Sequence, residues 1–264
     1  QRNPVQLGEK SLVILCSHSG NTPETVKAAA FARGKGALTI AMTFKPESPL
    51  AQEAQYVAQY DWGDEALAIN TNYGVLYQIV FGTLQVLENN TKFEQAIEGL
   101  DQLQAVYEKA LKQEADNAKQ FAKAHEKESI IYTMASGANY GVAYSYSICI
   151  LMEMQWIHSH AIHAGEYFHG PFEIIDESVP FIILLGLDET RPLEERALTF
   201  SKKYGKKLTV LDAASYDFTA IDDSVKGYLA PLVLNRVLRS YADELAEERN
   251  HPLSHRRYMW KVEY

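Results

Sequence analysis

Ser11-Leu12-Val13-Ile14-Leu15-Cys16-Ser17-His18-Ser19-Gly20-Asn21-Thr22-Pro23-Glu24 is the stretch that decides the fold. Its first six residues are dominated by apolar β-formers, the pattern of a buried parallel strand. Thr22 is a good helix N-cap, Pro23 suits the first helical turn, and Glu24 complements the positive helix end. A strand, a Ser/Gly loop and a capped helix open an α/β unit. Working outward, the helix runs to about Arg33 and stops at Gly34–Gly36. Strand Leu38–Thr43, a short helix from Pro49, strand Tyr56–Tyr60 and a helix from about Asn72 to Leu87 follow. Strands alternating with helices predict an α/β fold with a parallel sheet.

Residues 92–127 differ. They are polar, with Ile97, Leu100, Leu103, Val106, Tyr107 and Leu111 at helical spacing, and predict one long helix or a helix pair. The alternation then restarts: strand Ser129–Met134, loop Ala135–Asn139, a helix from about Tyr140 to His158, and strand Val179–Leu185. A helix Pro192–Tyr204, strand Lys207–Leu211 and helical sequence from Ser224 to about Arg249 complete it. The expected division is residues 1–91, a helical linker 92–127, a second α/β domain 128–250 and a tail 251–264. Strand, Ser/Gly loop and helix occur in both halves, a weak internal repeat.

The sequence is 47% hydrophobic and 22% charged, ordinary for globular protein. Its net charge of −9 argues against sequence-independent nucleic-acid binding, which needs clustered Lys and Arg. Ser145–Ile157 and Phe181–Leu187 fall short of the ~20 apolar residues a membrane helix needs. Cys16 and Cys149 sit in apolar runs and are expected as buried, unpaired thiols, in keeping with a reducing cytoplasm.

Three segments carry candidate chemistry. In the first loop, Ser17, Ser19 and Thr22 can add hydroxyl donors to backbone N–H groups at a helix N-terminus, which suits phosphate. A capped helix start explains Thr22, Pro23 and Glu24 equally well, but not the two flanking serines. Second, Glu153 has Cys149, Ile150, Trp156 and Ile157 at helical spacing. A carboxylate isolated there is expected to be tuned toward neutrality as a general base, unless a distant Arg or Lys pairs with it. Third, His158, His160, His163 and His169 invite a metal reading, but the spacings match no zinc motif. Gly170-Pro171 fixes a loop that can hold His169 at a cleft.

Ser17-His18-Ser19-Gly20-Asn21-Thr22 resembles the S-x-S-G-x-T phosphate loop of sugar isomerase (SIS) domains. Gly165-Glu166-Tyr167-Phe168-His169-Gly170-Pro171 resembles the matching segment in the isomerase half of glucosamine-6-phosphate synthases, where a helix glutamate precedes the histidine by the same interval as Glu153 and His169 here. The stretches Ile131–Ile174 and Arg256–Tyr264 are similar to the fructosamine-6-phosphate deglycases.

The resemblance implies two SIS domains, each a parallel-sheet αβα sandwich, the first lacking its N-terminal βα unit of about 30 residues. It implies hydrolysis of fructosamine 6-phosphates to glucose 6-phosphate and a free amino acid. Glu153 and His169 would be catalytic, and Ser17, His18, Ser19, Thr22, Ser136, Glu166 and Lys261 would bind phosphate or substrate. No metal or other cofactor is required. The partners implied are a small sugar phosphate and further copies of the chain, at least a dimer, with His169 delivered across the interface. Neither nucleic acid nor membrane is implied. An aldose–ketose phosphosugar isomerase or a non-enzymatic sugar-phosphate sensor are the rival readings. The apolar tail residues Tyr258, Met259, Trp260 and Val262 are expected to dock near the cleft.

Overall fold

In the computed structural model, which describes residues 4–63, 65–259 and 261–263, the decisive stretch forms β1 (Leu12–Cys16), the Ser/Gly loop and α1 (Pro23–Gly34). The chain divides into two units, Gln1–Asp101 and Gln102–Tyr264. In the first, β1 pairs in parallel with β2 (Leu38–Thr43), and β2 with β3 (Tyr56–Gln59). Cys16 stands opposite Met42, so β1 and β2 end level and their following loops leave the same edge.

Alanines at Ala29 and Ala32 let α1 lie close to the sheet. Leu15, Ala29, Ala41, Leu50 and Ala54 form the core there. Burying a leucine such as Leu50 contributes about 1.5–3 kcal/mol. The short α2 (Pro49–Glu53) is capped by Ser48, whose Oγ accepts from Ala51 N–H. In α3 (Asn72–Glu88), Thr71 caps the start and Asn89, at φ 49°, closes the end in the left-handed region. The polar stretch forms a single helix, α4 (Thr91–His125), which straddles the division.

The second unit holds β4 (Tyr132–Ala135), β5 (Ala161–His163), β6 (Phe181–Leu185) and β7 (Leu208–Asp212), all parallel in the order β5-β4-β6-β7. Every residue of β6 is buried, which is why Phe181–Leu185 reads as an unbroken apolar run. Helices α6 (Arg191–Tyr204) and α7 (Lys226–Glu248) complete the unit. Arg191 ties the start of α6 to the end of β7 through a two-pronged pair with Asp212, at 2.7 and 2.8 Å.

The structure departs from the sequence expectations in three ways. The helix after β4 is α-helical only over α5 (Asn139–Ser145), continues as a π-helix over Tyr146–Met154, and stops short of His158. β5 lies inside the histidine-rich segment, too short to show a period. Cys16 is exposed and Cys149 half-buried, so neither is the fully buried thiol expected, although both are free. Among the described residues, no helix is long and apolar enough to cross a membrane.

Candidate active site

Gly20 shapes the loop after β1. It sits at φ +66°, and a Cβ there would lie 1.9 Å from Ser48 Oγ, so only glycine fits. Gly20 N–H donates to the carbonyl and the hydroxyl of Ser17, each at 3.2 Å. Thr43 Oγ1 and Phe44 N–H both donate to His18 O at 3.2 Å, fastening the loop to the end of β2. Thr22 occupies the N-cap position of α1, but its hydroxyl makes no capping bond. It turns to Ser17 Oγ instead, 2.9 Å away.

Ser19 Oγ accepts from Asn21 N–H at 3.2 Å. Among the described residues, the backbone N–H groups of His18, Ser19, Thr22 and Glu24 have no protein acceptor. Free N–H groups beside exposed hydroxyls at a helix N-terminus are chemically suited to an anion. The His18 ring stacks on Phe44 at 5.2 Å and meets Tyr60 Oη at 3.1 Å. Burial first, then the Lys45 charge, push its pKa below the usual imidazole range. His18 therefore offers a hydrogen bond rather than a charge near neutral pH.

The loop after β4 has similar sequence but different contents. Ser136 is wholly buried, and its N–H and Oγ both donate to Glu194 Oε1 at 2.9 Å. Glu194 also accepts from Gly186 N–H at 2.6 Å, and Asp188 accepts from Ala138 N–H at 3.3 Å. A Cβ on Gly137, at φ +50°, would strike Thr190 and Asp188. The chain's own carboxylates thus occupy the donors that an incoming anion would need. Burial pushes Glu194 above the usual carboxylate range despite these bonds.

Glu153 lies on the π-helical turn, where Gln155 N–H reaches back to Ile150 O at 2.9 Å. The wider turn shifts its neighbours from those expected on an α-helix. Its side chain is 26% exposed and pairs with Arg256 Nη2 at 3.0 Å. The expected isolated carboxylate is therefore an ion-paired one, and sequence reasoning missed its partner. Arg256 belongs to the tail, whose docking also differs from expectation. His251 and His255 pack on the Trp156 ring at 4.4 and 5.1 Å, and the Arg257 guanidinium lies 4.1 Å above it. Tyr258 and Val262 remain 63% and 53% exposed, and Trp260 lies outside the described residues.

His169 ends a 3₁₀ turn beyond β5 and is exposed, as are Glu166 and Lys261. The α5/π-helix runs from the C-terminal end of β4 back to the N-terminal end of β5, while His169 leaves from the C-terminal end of β5. Among the described residues no hydrogen bond or ion pair joins Glu153 to His169. Also among them, no three His, Cys, Asp or Glu side chains converge as a metal site.

Comparison with known proteins places this architecture. The SIS domain pattern matches residues 5–86. The fructoselysine 6-phosphate deglycase of Escherichia coli K12 is 30% identical over 97% of this chain and 73% of its own length. A provisionally assigned phosphosugar isomerase from Salmonella typhimurium LT2 superposes with a TM-score of 0.96 at 40% identity, covering 99% of this chain and 79% of that one. The C-terminal domain of glucosamine-fructose-6-phosphate aminotransferase from Francisella tularensis shares the fold, with a TM-score of 0.80 at 18% identity over 96% of this chain and 75% of that one. The chain belongs to the SIS-domain family that includes the fructosamine-6-phosphate deglycases.

Proposed function

We propose that the protein hydrolyses fructosamine 6-phosphates, releasing glucose 6-phosphate and a free amino acid. The observation that carries this reading is Glu153, a largely buried carboxylate on a π-helical turn with a guanidinium against one oxygen. Such turns are frequent at functional sites. The Ser17–Thr22 loop, with its unpaired N–H groups, suits the 6-phosphate, and likeness to the E. coli deglycase supports the substrate class. The second unit would be a second SIS domain whose own loop is filled by Glu194 and Asp188.

His169 protonates the ring oxygen and opens the sugar. Glu153 removes a C1 proton, the electron pair forms the C1=C2 bond, and the C2 carbonyl oxygen takes up a proton to give an enaminol. Returning a proton to C2 converts the enaminol to a C1 imine. Water adds to that imine, and the C1–N bond breaks to leave the aldehyde of glucose 6-phosphate and the amine. Glu153 lies on the turn before β5 and His169 beyond its end, a placement that accords with a homo-oligomer in which neighbouring copies supply the two groups.

A phosphosugar isomerase is the second reading, favoured by likeness to the Salmonella protein. Incubation with fructoselysine 6-phosphate, followed by enzymatic assay of glucose 6-phosphate and free lysine, separates them. Stoichiometric release of both supports the deglycase. Interconversion of glucose and fructose 6-phosphates without lysine release supports the isomerase.

A further inference from the structure

The tail contributes Arg256, the first residue of the terminal stretch that resembles the deglycases. Arg256 is 8% exposed, and its Nη1 donates to Leu253 O at 2.6 Å and His255 O at 2.9 Å. Those backbone bonds fix the guanidinium, and its Nη2 then meets Glu153 Oε1 at 3.0 Å. Among the described residues, no other group holds the Glu153 carboxylate.

The tail itself is clamped to the end of the Glu153 helix. Gln155 Nε2 donates to His251 O at 2.8 Å, and Arg249 Nη2 donates to Gln155 O at 3.4 Å. Between them Trp156 takes φ +57°, a left-handed conformation costly for so bulky a residue. The turn presents its ring to His251, His255 and Arg257. Strain of this kind persists where the surroundings over-determine the backbone, and it clusters at functional sites. An exposed ion pair is easily averaged away, whereas this guanidinium is buried and held by carbonyls.

We infer that Arg256 is a positioning residue for Glu153: it holds Oε1 so that Oε2 faces the proton to be moved. The inference rests on the reading of Glu153 as the base. A base that must meet a C–H bond at close range loses rate steeply when its orientation is released, by about 10²-fold for an ångström of misplacement.

The test uses the full chain and fructoselysine 6-phosphate, comparing Arg256→Ala, Arg256→Lys and wild type. Arg256→Ala lowers kcat by about 10²-fold, while glucose 6-phosphate affinity by calorimetry stays within a few-fold. Arg256→Lys keeps an intermediate kcat, because an ammonium restores the charge but not the planar fork. Guanidinium chloride, at concentrations too low to unfold the protein, restores part of the lost kcat to Arg256→Ala and nothing to wild type. Unchanged kcat in Arg256→Ala overturns the inference. So does a loss recovered neither by lysine nor by guanidinium, since the tail would then act only in folding. Should Arg256→Ala fail to fold, wild-type kcat in the lysine variant overturns it equally. Glu153→Gln separates the two readings. If it is inactive while Arg256→Ala is fully active, only the positioning role falls; if it is active, the base itself falls.

Discussion

Replacing Gly20 by alanine should damage both stability and anion binding, and the structure ranks the causes. At φ +66° an L-residue pays about 1–2 kcal/mol for the left-handed conformation. The new Cβ would also lie 1.9 Å from Ser48 Oγ and 2.3 Å from Ser48 Cβ. Relieving such overlap costs typically a further ~1–3 kcal/mol in a packed site. The sum, about 2–5 kcal/mol, corresponds at ~2–4 °C per kcal/mol to a fall in melting temperature of roughly 5–20 °C. Because Gly20 N–H holds the Ser17 hydroxyl, the same change should weaken glucose 6-phosphate binding. Scanning fluorimetry and calorimetry measure the two effects. Ser48→Gly in the same chain removes both clashing atoms at the cost of a few tenths of a kcal/mol in the α2 cap. The double variant should regain the steric part and keep the φ penalty. A Gly20→Ala protein that melts with wild type, or one that Ser48→Gly does not improve, would refute this reasoning.

Ser19→Ala and Thr22→Ala should each weaken glucose 6-phosphate binding by ~1.5–3 kcal/mol, one donor to a charged acceptor; unchanged calorimetric affinity in both returns the loop to a helix start without a ligand. Burial raises the Glu194 pKa in the folded chain, so folding favours its protonated form. Its stabilising contribution is therefore fully present below the ordinary carboxylate range and is lost as pH rises through the raised value. Melting temperature followed upward from acid should show a falling component that Glu194→Gln lacks; parallel curves would exclude it. Mixed and reassembled Glu153→Gln and His169→Asn chains should recover part of the wild-type activity if neighbouring chains share the site, and none, with subunit exchange verified by mass spectrometry, if they do not.

The strands and helices were readable where period and punctuation agreed. Leu12–Cys16 with Thr22-Pro23 gives both a strand and a helix start, and Phe181–Leu185 is apolar throughout because β6 is covered on both faces. Ala161–His163 is too short for any period to show. The switch from α to π spacing at Tyr146 has no local signature, so the neighbours expected around Glu153 were those of the wrong helix. Its partner Arg256 lies far along the chain, and pairing at that separation comes from the fold alone. Ser136 illustrates the same limit of local pattern: a loop that reads like Ser17–Thr22 has its donors paired with Glu194 and Asp188, which no spacing rule ties to it. Tertiary neighbours thus decide whether the donors of similar loops are paired within the chain.

Abstraction of the C1 proton by Glu153 is the proposed step on which release of the amine depends. Its most direct test is the turnover of fructoselysine 6-phosphate by Glu153→Gln, measured as glucose 6-phosphate released, beside calorimetric affinity for the sugar phosphate. The amide keeps shape and removes basicity, so kcat should fall by ~10²–10⁴ while affinity stays within a few-fold. A variant that keeps more than about a tenth of wild-type kcat, against that range, would contradict the assignment of Glu153 as the base.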